Sequence, residues 1–128
     1  MSDVAFDDRS AIYRQIAERL REDIVRGVVA DDEQVMSTTQ YAAFHRINPA
    51  TVAKAFQELV DDGLIYKRRG VGMFVTPGAG ERLRAERRAR FVDDVLGPVL
   101  DEAARLEISA DVVLAAVNAR IRTPKGTP

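Results

Sequence analysis

The sequence contains no cysteine among its 128 residues and a single histidine, His45. Without cysteine there is no disulfide framework, no thiolate nucleophile and no cysteine zinc site, and nothing calls for an oxidising compartment. A lone histidine leaves a catalytic triad, a two-histidine metal centre or an acid/base pair without its second member. His45 therefore reads as a capping or turn-packing residue. No apolar run is long enough to span a bilayer, and the acidic N-terminus, Met1 to Asp8, lacks the basic region and apolar stretch of a secretion signal. A cytoplasmic protein with no membrane partner is expected. Internal repeats and low-complexity stretches are missing too. Gly70-Val71-Gly72 lacks the strand-to-helix context and following lysine of a phosphate loop. The pairs Asp61-Asp62 and Asp93-Asp94 put adjacent carboxylates in different directions on a helix, so neither makes a shared-proton dyad. No catalytic residue, metal or cofactor is expected, and the chain does not read as an enzyme.

Net charge is also nearly absent, at -1, which taken alone argues against a phosphate-rich partner. The distribution says otherwise. Residues 1–45 carry 5 basic and 9 acidic groups, residues 46–90 carry 10 and 5, and residues 91–128 carry 4 and 6. A basic middle flanked by acidic ends can form a basic patch while limiting indiscriminate binding. With 46% hydrophobic and 30% charged residues the chain is too apolar for disorder. Its length fits one compact domain, typically about 100 to 150 residues, with an appendage.

What is present is a succession of amphipathic segments. Ile12, Ile16, Leu20 and Ile24 step by four through Ser10 to Arg26, with Ser10 placed to cap the helix and Gly27 to end it. Val28 to Met36 reads as a connection, in which Asp31, Asp32 and Glu33 offer no core-seeking face. Ser37-Thr38-Thr39-Gln40 matches a capping box opening a short second helix to about Phe44. Asn48-Pro49, a cap followed by proline at the first helical position, opens a third, with Val52, Ala55, Phe56, Leu59 and Val60 apolar and Gly63 closing it. Two helices joined by so short a turn make a helix-turn-helix. Leu64 to Arg68 and Met73 to Thr76 are rich in β-formers and flank Arg69-Gly70-Val71-Gly72, which predicts a hairpin. Directly after the third helix, it is a wing.

Pro77-Gly78-Ala79-Gly80 reads as a hinge. From Glu81 to about Leu106 a helix is expected, kinked or split at Gly97-Pro98, and Ser109 caps a last helix carrying Val112, Val113, Ala116, Val117 and Ile121. The expected organisation is a winged helix-turn-helix over 1–76, a hinge at 77–80, a helical dimerisation region over 81–122 and a frayed end at 123–128. The fold class is mostly α with one small β-hairpin. Two helices with so many large apolar residues cannot bury them against each other, and exposed patches of that size mark interfaces. Phe91, Val92, Val95, Leu96, Val99, Leu100, Val113 and Val117 are the candidate homodimer contacts.

A helix-turn-helix presents the start of its second helix to the major groove. Here that start is Asn48, Pro49, Ala50 and Thr51, with Lys54 one turn on. Asparagine can pair with adenine, alanine and the threonine methyl can touch a thymine methyl, and the threonine hydroxyl can bond a phosphate. Asn48 has a competing role as a plain cap. Arg46, in the turn ahead of a helix N-terminus that itself attracts phosphate, is a backbone contact. Lys67, Arg68 and Arg69 lead into the wing's glycines and suit a phosphate ridge or the minor groove. A basic run taken alone is an ordinary solvated loop. Its place at hairpin spacing after a helix-turn-helix is what turns it toward duplex DNA. The competing class is a winged helix used for protein contacts without DNA readout, since fold alone does not exclude it.

The blocks Ile12-Tyr13-Arg14-Gln15-Ile16, Ile47 to Leu59 and Gly63 to Val75 resemble the DNA-binding domain of the GntR-family transcription regulators. The Asn48-Pro49-x-Thr51-Val52 start and the Arg68-Arg69-Gly70-x-Gly72 wing resemble its YtrA-type subfamily. The resemblance covers roughly residues 10–76, and the short tail fits that subfamily too. It implies a homodimeric regulator, usually a repressor, on an imperfect palindromic operator. It also implies DNA contacts at Ser37, Thr39, Asn48, Pro49, Ala50, Thr51, Arg68, Arg69 and Gly70. Two features depart from the family pattern: Thr39 stands where an arginine is usual, and Asp31-Asp32 replaces the usual proline-glycine. A small-molecule effector is compatible with this architecture, although no polar cluster within the apolar tail marks a site for one.

Overall fold

The computed structural model describes residues 11–121, so Ser10 as a helix cap, the acidic N-terminus and the end at 123–128 lie outside the described residues. Three helices come first, α1 (Ile12–Val25), α2 (Thr38–His45) and α3 (Pro49–Asp61), then the strands β1 (Ile65–Arg68) and β2 (Gly72–Val75). After them come α4 (Ala79–Phe91), a π-helical turn (Val92–Leu96), α5 (Gly97–Arg105) and α6 (Ala110–Arg120). The mostly α class with one small hairpin is as the sequence predicts. The chain divides into two compact units between Glu86 and Arg87.

The first unit is built on α1 and α3. Ile16, Ala17, Leu20 and Ile24 of α1 and Val52, Ala55, Phe56 and Leu59 of α3 are all buried in one apolar cluster. Each set recurs at three- and four-residue spacing, so each helix turns one stripe inward. Polar groups reinforce the pair at its rim: Arg21 Nη2 donates to Glu58 Oε2 at 3.1 Å and to Asp62 Oδ2 at 2.6 Å. Partial burial works against that charge, and the hydrogen bonds to Asp62 and Glu58 outweigh it, holding the guanidinium above its ordinary range. Tyr41 of α2 sets its ring edge-on to Phe56 with centroids 5.8 Å apart. Gly63 follows α3 at φ 74, a conformation open to glycine without cost. Leu64 N–H then reaches back to Leu59 O at 2.9 Å, and Leu64 enters the core.

Among the described residues Ala11 precedes α1 and makes no side-chain cap bond. Two expectations need correction here. First, the 28–36 connection is not merely polar: Val29 and Val35 are buried, and residues 32–35 run antiparallel beside β2, with Val35 N–H bonded to Met73 O at 2.9 Å and Val75 N–H to Glu33 O at 3.0 Å. Three consecutive acidic residues hid this segment's pairing. Second, the stretch 77–80 is not all hinge. Gly78 N–H donates to the Asp31 carboxylate at 3.0 Å, α4 begins at Ala79, and both Ala79 and Gly80 are buried. A Cβ on Gly80 would lie 3.1 Å from Ile24 O, so this glycine permits α4 to approach α1 closely.

In the second unit no described residue is buried. Gly97-Pro98 does interrupt the long helix, through a widened turn: Gly97 N–H bonds to Val92 O, five residues back. Pro98 has no N–H, and its ring would crowd the carbonyl four residues earlier, so the chain bulges. Ser109 caps α6 as expected, its Oγ accepting from Val112 N–H at 3.3 Å.

Tyr41 generates a prediction. It is fully buried, and its hydroxyl has no hydrogen-bond partner among the described residues. Burial, then the nearby Asp23 carboxylate, pushes its pKa up to about 12. Tyr41→Phe is expected to raise stability at neutral pH by about 1 kcal/mol, because it removes an unsatisfied polar group. The folded pKa exceeds the unfolded value of about 10, so wild-type stability is intact below about pH 10 and falls as pH rises toward 12. Urea denaturation across that window should show a smaller loss for the phenylalanine variant.

Candidate nucleic-acid interface

The start of α3 is set by two local features. Asn48 Oδ1 accepts from Ala50 N–H at 2.8 Å, and Pro49 occupies the first helical position. The cap role of Asn48 is therefore realised and takes up its carbonyl oxygen; its amide NH2 still has donors to offer. Asn48, Pro49, Ala50 and Lys54 are exposed and Thr51 is half-buried. Because Val52, Ala55, Phe56 and Leu59 face the core, the opposite stripe is left clear. That stripe also includes Ala53 and Gln57, exposed positions the sequence reading passed over. The signal for them was the helical complement of the core positions. Lys54 does not hang free: its ammonium lies 4.0 Å from the centroid of the Tyr13 ring. The aromatic face steadies the cation close to the helix surface.

At the start of α2 the capping box is complete. Ser37 Oγ accepts from Gln40 N–H at 3.0 Å, and Gln40 Oε1 accepts from Ser37 N–H at 3.1 Å. The Ser37 hydroxyl proton is still available to a phosphate. Thr39 is exposed on the first turn of α2. Between α2 and α3, Arg46 sits in the left-handed region at φ 55, ψ 49, and Ile47 N–H closes back onto Ala42 O at 3.0 Å. A glycine-like backbone thus carries a cation in the turn.

The hairpin pairs Ile65 with Val75 and Arg68 with Gly72, leaving Arg69, Gly70 and Val71 as a three-residue tip. Lys67, Arg68, Arg69 and Gly70 are exposed. Strand alternation along the basic run predicts Lys67 and Arg69 on one side of the hairpin, but Arg69 lies beyond the end of β1, so alternation does not fix it there. Arg68 is held instead by an aromatic face, its guanidinium 5.1 Å from the Phe74 ring centroid. Phe74 in turn stacks on Tyr66, and the Tyr66 hydroxyl donates to Asp32 Oδ1 at 2.7 Å. That bond raises the Tyr66 pKa above its ordinary value. Nothing in the sequence reading linked Asp32, Tyr66 and Phe74 to the wing arginine. Among the described residues no acidic or histidine group is placed to hold a metal ion, and no helix is long and apolar enough to cross a membrane.

The profile "Bacterial regulatory proteins, gntR family" matches residues 12–75. Over 122 residues the chain is 29% identical to the HTH-type transcriptional repressor YtrA of Bacillus subtilis (strain 168), covering 85% of this chain and 94% of that one. A GntR family transcriptional regulator from Listeria monocytogenes has a similar structure, with TM-score 0.69 and 26% identity over 91% of this chain and 100% of that one. The structure of AraR(DBD) in complex with operator ORX1 matches with TM-score 0.52 and 25% identity, over 58% of this chain and 95% of the other.

Arg46→Gly should relieve the left-handed strain and raise stability by about 0.5–1 kcal/mol, because glycine adopts that region freely. A matched pair of urea melts measures it. An equal or lower midpoint would show that the arginine side chain compensates for its own backbone.

Proposed function

Because the chain belongs to the gntR family of bacterial regulatory proteins, we propose that it is a cytoplasmic, sequence-specific DNA-binding transcriptional regulator that represses as a homodimer on an imperfect palindromic operator. The observation that carries this is the start of α3, where Asn48, Pro49 and Ala50 are exposed and Thr51 half-buried, left clear by the burial of the opposite face. In this reading Asn48, Pro49, Ala50 and Thr51 meet base edges, while Ser37, Arg46, Lys54, Lys67, Arg68, Arg69 and Gly70 meet the backbone or the minor groove. Thr39 is a shorter contact than the family's usual arginine, which shifts which operator ends are read. The likeness to AraR(DBD) with its operator and to the repressor YtrA supports the same reading.

The dimer is supported by the second unit. Phe91, Val92, Val95, Val99, Leu100 and Val117 are each 40% exposed or more, and Leu96 and Val113 are only half-buried. At about 25 cal/mol per Å² of apolar surface removed from water, a partner copy is the economical cover. Two-fold symmetry then sets the recognition helices about 34 Å apart, one DNA turn.

Two outcomes follow, the first measured on duplex from the protein's own upstream region and the second on the protein alone. Arg68→Ala with Arg69→Ala weakens binding to all sequences and reduces the magnitude of the salt slope by about two, one per lost phosphate contact. An unchanged slope in a salt titration would remove the wing from the interface. Val95→Asp with Val99→Asp is expected to give monomers in sedimentation with the helix content of the first unit kept. A dimer surviving both substitutions would place the contact elsewhere.

A further inference from the structure

The segment before α2 does more than connect. Asp32 N–H donates to Val75 O at 2.8 Å, and with the bonds of Glu33 and Val35 to β2 it ties residues 32–35 to the edge of the two-stranded hairpin around a single bridge between Gln34 and Phe74. Gln34, opposite Phe74 in this pairing, sends its side chain along the hairpin to the tip, where Nε2 donates to Val71 O at 3.0 Å. Gly72 lies beneath it. A Cβ built on Gly72 would overlap Gln34 Nε2 and lie 3.3 Å from Cδ, so a side chain at 72 and a docked Gln34 amide exclude each other. Within the tip itself, the local backbone closure is Val71 N–H to Arg68 O at 3.0 Å, with Gly70 at φ 76.

We propose that Gln34 is a positioning residue for the wing: by tethering the Val71 carbonyl it holds Arg69 and Gly70 in one conformation before DNA arrives. The inference rests on the DNA-binding reading and adds a residue that acts through Val71. The physical effect is preorganisation, since ordering the tip is completed in folding and no longer opposes binding. The chemistry requires a donor. Gln34→Glu keeps the length and sets a carboxylate against a carbonyl, so it fails as Gln34→Ala does.

The test combines a DNA-free and a DNA-bound readout. In the free protein, backbone order parameters at Gly70 and Val71 fall from about 0.85 toward 0.6 in Gln34→Ala, with residues of α1 and α3 unmoved. On the upstream duplex, fluorescence anisotropy shows affinity about tenfold weaker, the scale of one lost hydrogen bond. The salt slope is unchanged, because no phosphate contact is deleted, and that separates positioning from contact. Gly72→Ala displaces the same amide, so the double variant binds no more weakly than the weaker single one. An unmoved tip in Gln34→Ala, or full affinity while the wild-type protein binds normally, overturns the inference alone. A loss of affinity with a reduced slope makes Gln34 a direct DNA contact and overturns the positioning role. A wild-type protein that binds no duplex overturns both this and the function proposed above.

Discussion

The interaction on which everything else rests is the packing of α3 against α1. Val52, Ala55, Phe56 and Leu59 meet Ile16, Ala17, Leu20 and Ile24, and because a helix has only so much circumference, burying that stripe decides which residues are left outside. Ala50, Ala53, Lys54 and Gln57 are outside for no other reason. Truncating Phe56, fully buried at the centre, would remove about 3–5 kcal/mol, a large share of what so small a unit has to spare. The Arg21 bonds to Glu58 and Asp62 act at the far end of α3 and fix its pitch over α1. Orientation of the exposed turn is thus a property of the core.

The wing is governed by a different constraint. A two-stranded hairpin is marginal by itself, and this one is supported at its base and along one edge. Leu64, Ile65 and Val75 anchor its base in the core, while residues 32–35 pair along the outer edge of β2. The same edge carries the two side chains that reach forward: Asp32 through Tyr66 and Phe74 to Arg68, and Gln34 to the Val71 carbonyl. A segment of little apolar content therefore organises the basic end of the hairpin. Asp32, at φ 61, gives up backbone comfort to do so.

Elements with strong periodicity or capping chemistry were legible in the sequence. Ser37 with Gln40, Asn48 with Pro49, Gly63 and Ser109 each act locally, through neighbours within four residues, and each lies where the local chemistry puts it. What was not legible is what depends on pairing across distance. The 32–35 segment has no alternation to announce its pairing, because Asp32, Glu33 and Gln34 are all exposed and only Val35 is buried. Gly80 looked like a hinge, since a glycine kept for close approach to Ile24 O and a glycine kept for flexibility are spelled the same way. Of the candidate site, the identity of the exposed residues could be read; the holding of Lys54 by Tyr13 and of Arg68 by Phe74 could not, because each joins residues from different elements.

The charge distribution gains a physical meaning from this arrangement. In the proposed reading one copy of the first unit offers Arg46, Lys54, Lys67, Arg68 and Arg69 to phosphate, and the chain as a whole carries a net charge of -1. So small a basic footprint gives weak binding to arbitrary DNA. In the proposed dimer the two footprints add on one duplex only when both half-sites present themselves at the spacing the tail dictates, so the second contact is made at high effective concentration. Modest basicity in each copy is then what makes discrimination possible: a more basic unit would hold any sequence well enough alone, and base contacts from Asn48 to Thr51, as proposed, would contribute little to the choice.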